Sequence, residues 1–225
     1  MRLDRYLSAL TLFSRKQSRP LLKKWHFSVN QIVITDPGHF LTEWDTIQRD
    51  DTTIIAKRNI LLRIYKPVGY VSSDKPEADY PSYKELLGDY PYAPLLHLAW
   101  RLDVDTEGLL IATTDGALLH RLISPKHHVR KAYHVTTKHP VAPKDRLRLV
   151  KGVTLEDGTV TLPAKCTILD PHHLRLMLRE GKFHQIKRML IAIGNEVTHL
   201  KRETFGDRTL EGLESGEWEE VASTL

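Results

Sequence analysis

The sequence predicts an α+β fold in two units, and three observations predict it. Strand-like runs are many while probable helices are few and irregularly placed, which argues against a regular βαβ repeat. At 225 residues the chain is longer than one average domain and shorter than two. Its charge is uneven: residues 1–30 hold seven Lys or Arg against Asp4 alone, an excess larger than the +5 of the whole chain. A small basic unit over residues 1–57 therefore heads a larger sheet-rich unit over 58–225, with no low-complexity linker to sharpen the boundary.

In the first unit, Leu3, Tyr6, Leu7, Leu10 and Thr11 fall at helical spacing. Ser14 stands where an N-cap would open a second helix carrying Arg15, Lys16, Arg19, Lys23 and Lys24, and Pro20 argues that this helix is broken or restarted. FSVNQIVIT reads as strand, Asp36-Pro37-Gly38 as a turn, and a last strand-like piece ends near Ile55. A module of this size is too small for a deep core and is better suited to presenting a surface.

The second unit opens with ILLRIYKPVGYVSS, a buried-looking strand, a turn over Lys66-Pro67-Val68-Gly69 and more strand. Strand-like runs follow at 109–113, 131–137, 159–168 and 173–178, with helices expected at 115–123 and 184–193. No internal repeat is visible.

Composition excludes several classes. One cysteine, Cys166, rules out an internal disulfide and any cysteine-based metal cluster and fits a reducing compartment. No apolar run approaches membrane-spanning length and the N-terminus lacks a signal-peptide core, so a cytoplasmic location and no membrane contact are expected. GxGxxG, P-loop, HExxH and zinc spacings are missing, and no cofactor or metal is expected. The adjacent pairs His127-His128 and His172-His173 would point to opposite faces if on strands, which suits surface or RNA contact better than metal. The basic first module suggests a polyanion partner, a solvated basic helix being the plain alternative.

Chemistry concentrates in LAWRLDVDTEGLLIATTDG, where Asp103 and Asp105 stand beside Arg101 just ahead of an apolar run. Taken alone, Asp103 in an Asp-rich loop before a strand is more often a turn or capping residue than a catalyst. Tyr133 in KAYHV fits an ordinary strand aromatic. REGKFHQIKRM is more pointed: Gly181, then a helix start at His184 and the pair Lys187-Arg188, could bring cations to a carboxylate or to phosphates.

RLDVDTEGLLIATTDG closely resembles the catalytic motif of the pseudouridine synthases, in the branch that acts on single sites of bacterial ribosomal RNA. YKPVGYVSS, SPKHHVRKAYHV and REGKFHQIKRMLIAIGNEVTHLKRETFGDRTL agree with that branch in order and spacing. The basic module resembles the S4 RNA-binding domain that heads many of its members, so the resemblance covers nearly the whole chain. It implies a small S4-like α/β module followed by a catalytic domain with a mixed, largely antiparallel sheet flanked by helices. SPKHH and HQIKRM are closest to the enzyme for one uridine of 16S rRNA. A large-subunit 23S target and a non-catalytic ribosome-assembly factor remain as alternatives.

By the same resemblance Asp103 stands at the family's nucleophile, Tyr133 at its active-site tyrosine and Lys187 at its last basic position. The chemistry suits these types, because a carboxylate can attack a sugar carbon or abstract a sugar proton and an adjacent cation holds it ionised. Arg101 and Lys187 are the companions expected for that role, in a pocket that excludes water. Tyr133 would offer a flat face to the uracil and a hydroxyl for proton handling. Arg130, Lys131, Lys201 and Arg202 are expected at phosphates, and His184, Gln185 and Arg188 at RNA. The expected partner is ribosomal RNA or a pre-ribosomal small-subunit particle, engaged by a monomer. Where the branch carries glycine before the RLD arginine, this chain has Trp100, expected to pack, to crowd the loop or to stack on RNA.

Overall fold

The computed structural model describes residues 2–10, 16, 20, 22, 27–42, 45–49, 52–54, 59–90 and 92–222. Helix α1, Leu3–Leu10, buries Leu3, Tyr6 and Leu7, the face set by its 3.6-residue period. Four short strands follow: β1 Phe27–Val29, β2 Ile32–Val33, β3 Ile47–Arg49 and β4 Thr52–Ile54, in the order β2-β1-β3-β4, all antiparallel. The expected single strand FSVNQIVIT is thus a hairpin. Asn30 and Gln31 take φ of 51° and 68°, and two consecutive positive φ values make the tight turn whose twist suits paired strands.

The first module does not close its own core. Leu3, Tyr6, Leu7, Leu22, Phe27, Val29, Leu41 and Ile47 cluster with Leu95, and Tyr92 packs against them, both from the second unit. Lys16, Pro20 and Leu22 are helical, Leu22 buried and the other two exposed. The expectations at Ser14, Arg15, Arg19, Lys23, Lys24 and Ile55, and the 57/58 boundary, lie outside the described residues.

The second unit is built on a nine-stranded sheet: β5 Leu61–Lys66, β6 His97–Ala99, β7 Glu107–Thr113, β8 Lys131–Thr137, β9 Lys165–Asp170, β10 His173–Leu178, β11 Val197–Phe205, β12 Arg208–Thr209 and β13 Trp218–Val221. The main path runs β13-β5-β7-β11-β8-β10-β9, with β12 on β11 and β6 on β7. Only β7 and β11 pair in parallel; every other pair is antiparallel. Helices α2 Gly116–Ile123, α3 Pro143–Lys151 and α4 Gln185–Ala192 flank it.

The run expected as strand over 159–168 becomes strand only from Lys165, because Pro163 cannot donate to a ladder; before it Val160 makes one isolated bridge to Thr154. Beyond the Lys66–Gly69 turn there is likewise no full strand, only a bridge from Val71 to Ser82. Helix α3 and strand β11 carry charged residues that mask their period in the sequence, and neither is among the expected elements.

β7 is apolar on both faces because both are covered. Leu110 and Ala112 join Ile60, Leu62, Ile64 and Tyr83 on one side, while Leu109 and Ile111 meet Leu118, Leu122 and Phe205 on the other. A third cluster, with Val135, Leu149, Leu174, Leu176, Met189 and Leu190, seats α3 and α4. The central parallel pair needs Gly108: its φ is +116°, and a Cβ there would lie 2.3 Å from the Arg202 carbonyl oxygen.

Candidate active site

Asp103 sits in the loop that feeds β7, and that loop is tied down at several points. Ser72 Oγ donates to Leu102 O at 2.8 Å and accepts from Leu102 N at 3.0 Å. Gly69 N donates to Val104 O, and Thr106 N closes the turn onto Asp103 O. The motifs YKPVGYVSS and RLDVDTEG, far apart in sequence, are thereby one structure.

Helix α4 delivers the cation. Lys187 Nζ donates to Asp103 Oδ2 at 2.9 Å and to Asp105 Oδ1 at 2.6 Å. Burial pulls the Lys187 pKa down, but the hydrogen bonds to Asp105 and Asp103 outweigh it and the net shift is upward, so the ammonium stays charged throughout the neutral range. His184, the αL residue that opens α4, stacks on Phe183 with centroids 3.7 Å apart and brings Nε2 within 3.6 Å of Asp103 Oδ1. These groups line a cleft of about 970 Å³ with Tyr133, Trp100, Lys131 and Arg202. The cleft is open in this structure, with 32% of the Asp103 side chain exposed, so water exclusion requires an occupant.

Several expected site residues do other work. Arg101 lines the cleft with Glu77 and is 66% exposed, and the carboxylate its side chain pairs with is Glu77 at 3.4 Å, not Asp103. Arg202, expected at phosphates, is buried; its Nε donates to Leu109 O at 2.7 Å and its Nη1 to Arg101 O at 3.5 Å, bracing the Asp103 loop from beneath. Lys131 is also buried, its Nζ 4.0 Å from the centroid of the Trp100 ring. Burial and the neighbouring Arg202 bring its pKa down to about 8. Gln185 is buried, donating to Glu180 Oε1 and accepting from Lys182 N, which caps the turn into α4. Arg188 is held by Glu156 at 2.6 Å and Asp157 at 2.5 Å. Lys201 lies over the Tyr65 ring, 4.6 Å from its centroid, whereas Arg130 is exposed.

Nor are the histidine pairs strand neighbours. His127 ends a 3-10 turn and His128 is left-handed at φ 46°, while His172 Nδ1 bonds Thr137 O and His173 Nδ1 bonds Asp170. Among the described residues no group of three His, Cys, Asp or Glu could hold a metal ion, and no helix is long and apolar enough to cross a membrane.

Trp100 has φ +69°, the left-handed region that favours the glycine of the branch. Its indole Nε1 donates to Leu122 O at 3.0 Å, its ring packs on the Leu118–Leu122 cluster, and a Cβ at Gly181 would come within 2.7 Å of the ring. This is packing. Sequence reasoning missed Ser72 and Lys66. Lys66 is fully buried, donates to Pro67 O and Tyr70 O at 2.8 Å, and is lowered to about 8 by burial, with Asp105, Asp103 and Glu107 opposing. A lysine inside the turn motif YKPVGYVSS was the available signal.

The site is thus a lysine-paired aspartate in an open cleft of a mixed sheet, behind a small module rich in lysine and arginine. The S4 domain matches residues 1–47 and the RNA pseudouridylate synthase family matches residues 60–192, so the chain belongs to the RNA pseudouridylate synthase family. It is 38% identical to the ribosomal small subunit pseudouridine synthase A of Pasteurella multocida, over 99% of this chain and 97% of that one. It is 36% identical to the protein of that name from Escherichia coli, over the whole of both. A solved pseudouridylate synthase, 35% identical, superposes with a TM-score of 0.70 over 99% of this chain and 96% of its own.

Proposed function

We propose that the chain isomerises a single uridine of 16S rRNA to pseudouridine, with Asp103 as the carboxylate that works at the ribose. The small-subunit target is supported by the names of the full-length relatives, and the role of Asp103 by one observation above all: Lys187 holds it from 2.9 Å inside the cleft that Tyr133 also lines. The bond from ribose C1′ to N1 breaks, the uracil turns, and C1′ joins C5. C5 loses a proton and N1 gains one, so the product is an isomer and neither oxidant nor cofactor is consumed. Lys187 is the counter-charge of the carboxylate, Tyr133 gives the turning base a flat face, and its hydroxyl carries the proton. The uridine has to leave its stack first, which costs a few kcal/mol and costs least in an incompletely folded RNA. Residues 1–57 act as the affinity module and 58–225 as the catalytic unit.

The test is pseudouridine mapping on ribosomal RNA treated with the wild-type chain and with Asp103→Asn. One new pseudouridine in 16S rRNA is expected from the wild type. None is expected from the variant, whose RNA affinity should stay within a few-fold because the amide is nearly isosteric. Turnover by the variant above a few per cent of wild type rejects Asp103 as the nucleophile, and modification of 23S rRNA alone rejects the target.

A further inference from the structure

At the end of the sheet, on the face opposite the catalytic cleft, a second set of cations gathers. Arg130 precedes β8, Arg179 follows β10 and Lys165 opens β9, and these three strands are neighbours, with Leu178 opposite Lys131 and Met177 opposite Lys165. One corner of the sheet therefore carries all three side chains. Together with His128 they line a cavity of about 650 Å³ whose remaining wall is Leu162, Pro163 and Met177.

All four polar side chains are exposed, and none of them makes an ion pair among the described residues. Other arginines of the unit are matched: Arg63 with Glu219, Arg175 with Glu203, Arg188 with Glu156 and Asp157. The nearest carboxylate in sequence, Glu180, is committed to Leu162 N, Gln185 and Lys182. Its bond to Leu162 N also fixes that leucine, which is 44% exposed, at the mouth of the cavity. A second cavity of about 490 Å³ shares His128 and Arg130 and adds Arg121 and His127, which extends the basic track.

We propose that this corner is a nucleotide subsite for the RNA strand flanking the target uridine, with Arg130, Lys165 and Arg179 on phosphates and Leu162, Pro163 and Met177 against a ribose or base. An RNA occupant follows from the pairing of unmatched cations with an apolar floor, since a nucleotide presents an anion and a flat apolar face together. Position is compatible with this. Arg130 and Arg179 stand at the end of the sheet, just past Lys131 and Leu178 of the catalytic cleft, while Lys165 and Met177 lie on the sheet's opposite face, so a strand leaving the cleft reaches them by rounding the end of the sheet. The subsite rests on the uridine-isomerising reading above, and binding tests it without requiring turnover.

The experiment compares the wild type with Lys165→Gln/Arg179→Gln on 16S rRNA, reading affinity against salt concentration as well as KM and kcat. Removing one phosphate ligand should reduce the salt slope by about 0.7–0.9, so the double variant should show roughly twice that reduction. KM should rise several-fold with kcat little moved, and Lys165→Arg/Arg179→Lys, which keeps both charges, should restore the wild-type slope. An unchanged slope overturns the subsite, as does a fall in kcat with KM intact. If the wild type made no pseudouridine the proposed function would fall, and the salt slope would still decide this surface.

Discussion

Two groups of cations in the catalytic unit, adjacent in sequence only at Arg130 and Lys131, live in opposite environments. Lys66, Lys131, Lys187 and Arg202 surround the Asp103 loop, buried or half-buried, and each is engaged by a carboxylate, a carbonyl or an aromatic face. Arg130, Lys165 and Arg179 stand at a corner of the sheet, exposed and without an ion pair among the described residues. The difference teaches that the first group shapes and charges the protein itself, while the second is kept available for something outside it. Desolvation decides this: a buried ammonium must find internal partners, and a solvated one is left to bind what arrives.

The sharpest way to break the comparison is at Lys187. If it belongs to the inner group as the counter-charge of Asp103, Lys187→Met should lower kcat by about 10²–10³-fold, the usual consequence of removing one preorganised charge from an active site. Affinity for RNA should remain within a few-fold. A large drop in affinity with kcat retained would move Lys187 to the outer group.

A smaller effect is expected at Trp100, whose ring covers Lys131. Trp100→Gly relieves the strain of a positive φ but removes a half-buried indole and its bond to Leu122, so a net destabilisation of about 1–2 kcal/mol is expected, a few degrees in Tm. Activity per folded molecule should be unchanged. Weaker RNA binding at unchanged Tm would instead make the indole a stacking surface.

The smallest effect sharpens the inner group by pH. Lys131 titrates at about 8 in the folded protein against about 10.4 in an unfolded chain. Between these values the unfolded state holds the extra proton, so this group makes stability rise with pH there, and below pH 8 its cost is constant. Lys131→Met should therefore flatten the rise of urea-unfolding stability between pH 8 and 10. A slope equal to that of the wild type would mean that the ammonium is not desolvated.

How much of this was legible in the sequence follows the same division. The α+β fold class, helices α2 and α4 to within a residue or so, and the meeting of Asp103 with Lys187 were all readable, because local period and motif identity carry them. What a lysine or arginine faces was not. Lys131 and Arg202 read as phosphate ligands and are buried, whereas Lys165 and Arg179 carry no signal in the sequence and are exposed, because side-chain environment depends on strands brought together from distant parts of the chain. Arg101 shows the same limit: its carbonyl is held by Arg202 and its side chain lines the cleft, but its carboxylate partner there is Glu77, which stands 24 residues away in the sequence. The S4 domain was legible, yet its reliance on Leu95 and Tyr92 was not, since an incomplete core leaves no mark on the local pattern.

The central parallel pair has a consequence for the order of folding. Asp103 enters the sheet through β7 while Lys187 comes from the helix that precedes β11, so their bond spans 84 residues, and β13 must return from residues 218–221 to edge β5 at 61–66. Pairings of such long range form late, because loop-closure entropy has to be met before they contribute. During synthesis the Asp103 loop emerges well before its lysine, and the sheet's outer edge is sealed only after β13 is made. The aspartate therefore acquires its counter-charge among the last events of folding, and a chain still emerging from the ribosome carries the motif without the chemistry.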